Sequence, residues 1–431
     1  MAHNKPTFEL SDHAMSQPTP EVIELIKDIP IYQASIARNY FPILEKPEIA
    51  RNFPNNWMTP QLASALERGD AEYVLSTGTN HDRMHIIRPP YFLLKSYYHL
   101  WSKHPDIAFT WSGQCPRISL TTVLATEHVA RVNAAKRSSL SHQTPTLEDR
   151  RLDSRTLYIN LQPDPHFWTQ CDLERMLEEI NIARASHPSG WYHLDCSSYY
   201  LAYLLKKITL WDLWKYFEHP ASIIHAYEHT PKNIKKFLTS HFNCPVIDLF
   251  GSTELGYLYY SDRHGAYHPF LDQMSPELVP VSSNSATYSL IISSIRNPYM
   301  PLIRYRSGDC VQTCDNTADP LNIRRFCGRE KELLKTTKGI FSQADVDDWL
   351  SDESPDIFTY QLHVSNSSQA CMRYTSFDDA PLRPDVARSL RQRIHLASGL
   401  ECALDHRLHI PPGKSGKYAW LVNHHEADAR G

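Results

Sequence analysis

Leu173, Met176, Leu177, Ile180 and Ala183 recur at spacings of three and four, which puts all five on one face of a helix. Polar Thr169 and Asp172 stand ahead of them as a start signal. Ile234, Phe237, Leu238 and His241 repeat the spacing behind Thr230-Pro231, which reads as an N-cap followed by a first-turn proline. Both stripes read as core faces. Around them lie short runs of strand length, at residues 156–161, 222–226 and 246–250. Residues 287–293 alternate, with Tyr288, Leu290 and Ile292 sharing one side. Helices alternating with strands predict an α/β fold.

The pattern changes after Gly328. Ser342 and Asp345 form a capping pair ahead of Val346, Trp349 and Leu350. Strand candidates at 360–364 and 370–374 precede a helix from Pro384 through Leu396, and 418–422 is apolar again. The expected organisation is a large N-terminal α/β domain over residues 1–328 and a smaller α+β C-terminal domain over residues 329–431. No repeat, coiled coil or low-complexity tract interrupts it.

With 431 residues the chain can bury a sizeable core, and a net charge of −4 with dispersed Lys and Arg points away from nucleic acid and from a polybasic membrane surface. Small molecules or proteins are the expected partners. No apolar run approaches the roughly 18 residues of a membrane span, and residues 1–20 are polar, so a cytoplasmic protein is expected. The nine cysteines are scattered and odd in number, which favours reduced thiols. Cys310, Cys314 and Cys327 lack the paired CxxC units of a zinc site. The 23 histidines are dispersed, and none is singled out as a catalyst. Glycine is sparse, 14 of 431 against an ordinary share of about 7%. Three of those that remain, Gly251, Gly308 and Gly328, stand in three informative segments.

The first is Asp248-Leu249-Phe250-Gly251-Ser252-Thr253-Glu254, an apolar strand turning abruptly into a hydroxyl and a carboxylate. Such a loop suits ATP: Gly251 lets the backbone approach a flat base, Ser252 and Thr253 offer hydroxyls to phosphate, and Glu254 can hold Mg²⁺. The second, Tyr305-Arg306-Ser307-Gly308-Asp309, ends the apolar run from Leu302 on a carboxylate able to accept from both ribose hydroxyls. The third, Gly328-Arg329-Glu330-Lys331-Glu332, offers the donor fork of Arg329 to phosphate or ribose. Singly, each is ordinary turn chemistry; their order carries the signal.

In that order the three segments resemble the motifs YGxTE, YRxGD and GRxDDxxK of the adenylate-forming superfamily, which includes acyl- and aryl-CoA synthetases, peptide-synthetase adenylation domains and luciferases. Phe250 replaces the usual Tyr, Ser307 the usual Thr, and Glu330-Lys331-Glu332 fills the acidic stretch. The third match continues through Leu333-Leu334-Lys335 to Gly339. Pro412-Gly413-Lys414-Ser415-Gly416-Lys417 looks like the family's terminal SGK. The run from Pro301 to Asp309 points to the phenylacetate-CoA ligase and coenzyme F390 synthetase branch. Ser76-Thr77-Gly78-Thr79 resembles the phosphate loop, though its second glycine and Pro-Lys are replaced by Asn80-His81-Asp82-Arg83. Rival nucleotide folds lack support: no GxGxxG follows a strand, and Leu408 stands where a Walker loop ending at Gly413-Lys414-Ser415 requires glycine.

The resemblance implies ATP-dependent adenylation of a carboxylic acid to acyl-AMP, then transfer to CoA, a carrier-protein thiol or an amine, in a biosynthetic role. It assigns nucleotide binding to Ser76, Thr77, Gly78, Thr79, Gly251, Ser252, Thr253, Asp309 and Arg329, and Mg²⁺ to Glu254. Catalysis falls to Lys417 with Thr253 and Glu254, and Lys331 matches the hinge of a mobile C-terminal domain. Lys414 is the alternative lysine if the terminal loop is shifted by three. An aromatic acid is inherited from the branch; Trp191-Tyr192-His193, Tyr199, Tyr200 and Tyr203 are candidate walls, although such residues more often form core. Two other classes stay open: an acyl-protein synthetase with an enzyme cysteine, and a non-catalytic interaction module. Oligomeric state is open, a homodimer among the options.

Overall fold

A computed structural model describes residues 17–76, 84–136, 144–282 and 286–423. The fold is mixed α/β, in two compact units that are each discontinuous in sequence: residues 1–104 with 249–331, and 105–248 with 332–431. The last passage of the chain between the units is at Lys331.

The first unit is built on an antiparallel sheet in the order Met274–Pro280, Thr287–Ser294, Leu302–Thr313, Ile323–Arg329. Thr287–Ser294 has the expected alternation, yet all eight residues are buried. Its serines are paired inside: Ser289 Oγ accepts from Arg306 at 3.1 Å, and Ser293 Oγ from the Arg304 amide at 2.9 Å. The period marks two faces that both lie within the protein. Leu302–Thr313 runs for twelve residues, with left-handed backbone at Arg304 (φ 50°) and Gly308 (φ 79°) and shifts of register against both neighbours. Asp309 is therefore interior to a strand, where the apolar run to Tyr305 had suggested a strand end. An N-terminal segment lies alongside, because Leu44 donates to Arg304 O at 2.9 Å and accepts from Arg306 N at 3.0 Å. Val22, Ile49, Trp57, Leu290, Ile292 and Tyr305 share the core.

In the second unit Thr156–Tyr158, Arg117–Leu120, His193–Cys196, Ser222–His225 and the start of Val246–Ser252 form a parallel sheet in that order. Register puts Leu157, Ile118, Leu194 and Ile223 on one face, against a core that includes Leu173, Met176, Leu204 and Leu238. The other face carries Arg117, Ser119, His193, Asp195 and Ser222, all buried. Arg117 pairs with Asp195, and Ser222 Oγ meets His193 Nδ1 at 2.7 Å. These pairings offset part of the cost of burying polar groups.

Helix Gln170–Ala185 starts in a Thr169/Asp172 capping box and buries all five stripe residues. Helix Lys232–His241 departs from expectation. Its N-cap is Pro231, and no Thr230 hydroxyl caps it; Ile234 and Leu238 are buried while Phe237 and His241 are partly exposed. The candidate aromatic walls Tyr192, Tyr199, Tyr200 and Tyr203 belong to the core, and Trp191 is exposed.

The C-terminal part has its own sheet, ordered Glu401–His406, Gln369–Ser376, Ile357–Asn366, Leu421–Asn423, and its own core around Val346, Trp349, Met372 and Ile394. Helix Gln343–Glu353 begins in the expected Ser342/Asp345 capping box. The same helix and its C-terminal loop meet helix Lys232–His241: Lys232 Nζ donates to Asp348 at 3.0 Å, and Asn233 donates to Ser354 O and Ile357 O. His229 Nε2 lies 2.6 Å from Asp347. Ten described non-glycine residues have positive φ, five of them Asn or Asp.

Candidate functional site

In the first unit Leu249–Ser252 pairs antiparallel with Gly256–Ser261, so Thr253, Glu254 and Leu255 form the tip of a hairpin. Leu255 is buried and ties the tip to the core. Gly251 is fixed by space: a Cβ there would run into Gly256 O and stand 2.7 Å from Tyr257 Cα, both backbone and unable to yield. Gly251→Ala is expected to lower stability by about 1–3 kcal/mol, the range for overpacking. A urea midpoint equal to that of the parent would contradict this.

The hairpin tip presents Glu254, which is only 6% exposed. Tyr305, across from it on Leu302–Thr313, donates its hydroxyl to Glu254 Oε1 at 2.9 Å. Burial first, and then the Glu254 charge, hold the Tyr305 phenol well above its ordinary range, so it stays a donor. Oε2 of Glu254 takes no hydrogen bond among the described residues.

Asp309 stands opposite Arg329 in register, and Arg329 Nε lies 3.1 Å from Asp309 Oδ1. The kink at Gly308 helps: Arg329 Nη1 reaches Ser307 O at 3.1 Å, and a Cβ on Gly308 would come to 3.7 Å from that nitrogen. The Asp309 side chain is 10% exposed and that of Arg329 39%, so the carboxylate is enclosed and the guanidinium faces outward. Burial raises the Asp309 pKa; Arg329 and Lys46 pull it down, and Glu254 pushes it up. Glu254, Tyr305, Asp309 and Arg329 thus form one electrostatic cluster.

Lys46, Tyr305 and Arg306 escaped the sequence reading as site residues. Arg306 bridges Glu45 at 3.2 Å and Glu330 at 3.1 Å. Glu45 and Lys46 arrive through the Leu44 bridge, a contact between residues some 260 apart that no local pattern discloses. Phe250, in the motif's aromatic position, stacks on Phe326 with ring centroids 3.9 Å apart.

Of the expected phosphate loop, Ser76 is described and buried, with its hydroxyl accepting from Met84 N at 2.8 Å. Thr77, Gly78 and Thr79, like Arg83, lie outside the described residues. Lys331 is the last residue of the first unit.

Lys417 belongs to the second unit. Its loop is closed by Gly413 N donating to Lys417 O and Gly416 N to Gly413 O, both at 2.8 Å. Lys417 is half-buried, Lys414 exposed. For the enzyme-cysteine alternative, the exposed thiols are Cys171 and Cys314. Burial pushes Cys244 and Cys402 up to about 12, the wrong direction for a nucleophile.

No described helix is long and apolar enough to cross a membrane. No family sequence model and no curated sequence relative matches the chain. Solved structures do. A 2-hydroxyisobutyryl-CoA ligase in the postadenylation state, in complex with R3-HIB-AMP, superposes with a TM-score of 0.64 at 10% identity, over 95% of this chain and 89% of that one. The anthranilate CoA ligase AuaEII with anthranoyl-AMP gives 0.53 at 13% identity, over 83% and 66%. The amide bond synthetase McbA from Marinactinospora thermotolerans gives 0.53 at 12%, over 80% and 66%. The chain has the fold of the adenylate-forming ligases. The likeness does not single out the phenylacetate-CoA ligase branch.

Proposed function

We propose that this protein activates a small carboxylic acid with Mg·ATP and passes the acyl group to a thiol or an amine. The observation that carries the reading is the cluster of Glu254, Tyr305, Asp309 and Arg329 on this fold. Three motifs read in order from the sequence converge in it.

A carboxylate resists attack because its charge and resonance oppose a nucleophile, so its oxygen must become part of a leaving group. The substrate carboxylate oxygen attacks the α-phosphorus of ATP and the bond to pyrophosphate breaks, giving acyl-AMP. An acceptor sulfur or nitrogen then attacks the carbonyl carbon, loses its proton and expels AMP. Positioning and charge neutralisation do most of this work.

Asp309 holds the ribose hydroxyls, with Arg329 beside it, and Thr253 meets the α-phosphate. Glu254, whose Oε1 accepts from Tyr305 and whose Oε2 takes no hydrogen bond among the described residues, would suit a hard divalent cation that accompanies the phosphates. Such an ion supplies neutralisation of phosphate charge. Lys417 adds a cation during the first half-reaction. CoA, a carrier-protein thiol and an amine remain the acceptor classes, and an aromatic acid is one substrate class to test.

The decisive experiment is exchange of labelled pyrophosphate into ATP across a panel of carboxylic acids, because it reports the first half-reaction whatever the acceptor. Acid-dependent exchange is expected. No exchange with any acid, together with no binding of ATP or AMP by calorimetry, would leave the interaction-module reading in its place.

A further inference from the structure

The loop that carries Lys417 rests on groups presented at the carboxyl ends of the parallel strands, the edge where open α/β sheets ordinarily receive ligands. Gly416 fits against Thr122, beyond the strand Arg117–Leu120: a Cβ on Gly416 would come within 2.7 Å of Thr122 Cγ2 and 3.1 Å of Tyr200 Oη. Tyr418 stacks on Tyr199, ring centroids 4.5 Å apart. Glu228, just beyond the strand Ser222–His225, accepts the Tyr418 amide at 3.2 Å and also the Ser197 hydroxyl. Every one of these groups belongs to the second unit.

Glu228 is itself aimed by an unusual device. The residue before it, Tyr227, has φ 84°, a left-handed backbone that costs a non-glycine residue energy and persists only when its surroundings impose it. The Tyr227 hydroxyl donates to both oxygens of Asp195, at 3.1 and 3.2 Å, and Asp195 is fixed by Arg117 inside the polar face of the sheet. The buried ion pair therefore pins a strained turn, and the turn points a carboxylate at the Lys417 loop.

We propose that Glu228 is a positioning residue for Lys417: with Ser197, Thr122 and Tyr199 it forms a seat that holds the terminal loop in the orientation used for acyl-AMP formation. The inference rests on the adenylation reading above. Burial raises the Glu228 pKa, opposed by the Ser197 hydrogen bond and by the charge of Lys417, which places the ammonium within its electrostatic reach.

The test joins two readouts on the parent protein, Glu228→Gln, Glu228→Ala and Ser197→Ala: hydrogen exchange at the Tyr418 amide, and pyrophosphate exchange across the acid panel. Glu228→Ala should expose the Tyr418 amide and slow pyrophosphate exchange about 10- to 100-fold with the KM for ATP unchanged, the signature of a misplaced group. Glu228→Gln keeps an acceptor oxygen and should retain most of the amide protection and rate. Ser197→Ala keeps the carboxylate but removes one hydrogen bond that orients it, so it should fall between them, and it guards against a variant that merely misfolds. Unchanged Tyr418 protection in Glu228→Ala, or full exchange rate despite lost protection, overturns the proposal. A parent protein that exchanges with no acid removes the adenylation reading itself, an outcome visible before any variant is compared.

Discussion

Lys417→Ala is expected to slow acyl-AMP formation about 10²- to 10³-fold, the usual cost of removing one group that neutralises charge in a transition state. Consumption of supplied acyl-AMP should be nearly intact. The two effects separate because, on the proposed alternation of the C-terminal domain, the lysine serves one orientation and the transfer step another. Lys414→Ala is the control. It is three residues away and exposed, whereas Lys417 is half-buried and closes its loop onto Gly413. Single-turnover measurement of each half-reaction decides the matter. A defect in Lys414→Ala with normal Lys417→Ala would mean that the terminal motif had been read three residues out of register. Full adenylation by both variants would remove the lysine from the mechanism.

Asp309→Asn should weaken AMP binding about 10- to 100-fold, because it removes charge-assisted hydrogen bonds to the ribose worth about 1.5–3 kcal/mol each. Its effect on the free protein should have the opposite sign. Burial raises the folded pKa of Asp309 above that of the unfolded chain, so the folded state binds this proton more tightly. The contribution of this group to stability is therefore greatest below the unfolded carboxylate range, about pH 4, and is lost as pH rises through the folded value. Asparagine does not ionise and escapes that loss. Arg329 loses this ion pair but keeps Ser307 O, and its side chain is 39% exposed, so the broken pair costs little. Urea midpoints for Asp309→Asn should equal or exceed those of the parent near neutral pH, with the difference narrowing in acid. A lower midpoint at neutral pH, or unchanged AMP affinity by calorimetry, would reject this account of a carboxylate kept for binding at the expense of the empty protein.

The parts of the fold with strong local periodicity were legible in the sequence. The Leu173 to Ala183 stripe and the Ser342/Asp345 cap are set by neighbours within a turn or two, and both stand as read. Arg117–Leu120 and His193–Cys196 were not legible, because the buried partners of Arg117, His193 and Asp195 come from neighbouring strands far away in the sequence. Thr230 failed as a cap because Pro231 itself takes the cap position and the helix starts after it. Glu254, Asp309 and Arg329, nominated through motif order, come together in one cluster. Tyr305 was in plain view inside a motif, yet its role depends on which way a kinked strand turns its phenol. Lys46 gave no signal at all.

The left-handed turns bear on the unfolded chain as well as on the folded one. A side chain at such a position costs the native state about 1–2 kcal/mol, less for Asn and Asp, which hold half of the ten. The same side chain narrows the wanderings of the unfolded ensemble, which glycine would widen by about 0.4–1 kcal/mol. The unfolded-chain effect offsets part of the native cost, and most of it at Asn and Asp. A net cost of up to about 1 kcal/mol therefore stays in the native state at each of the other five, Tyr227 among them. Scarce glycine thus leaves strain in the native state while it narrows the unfolded one.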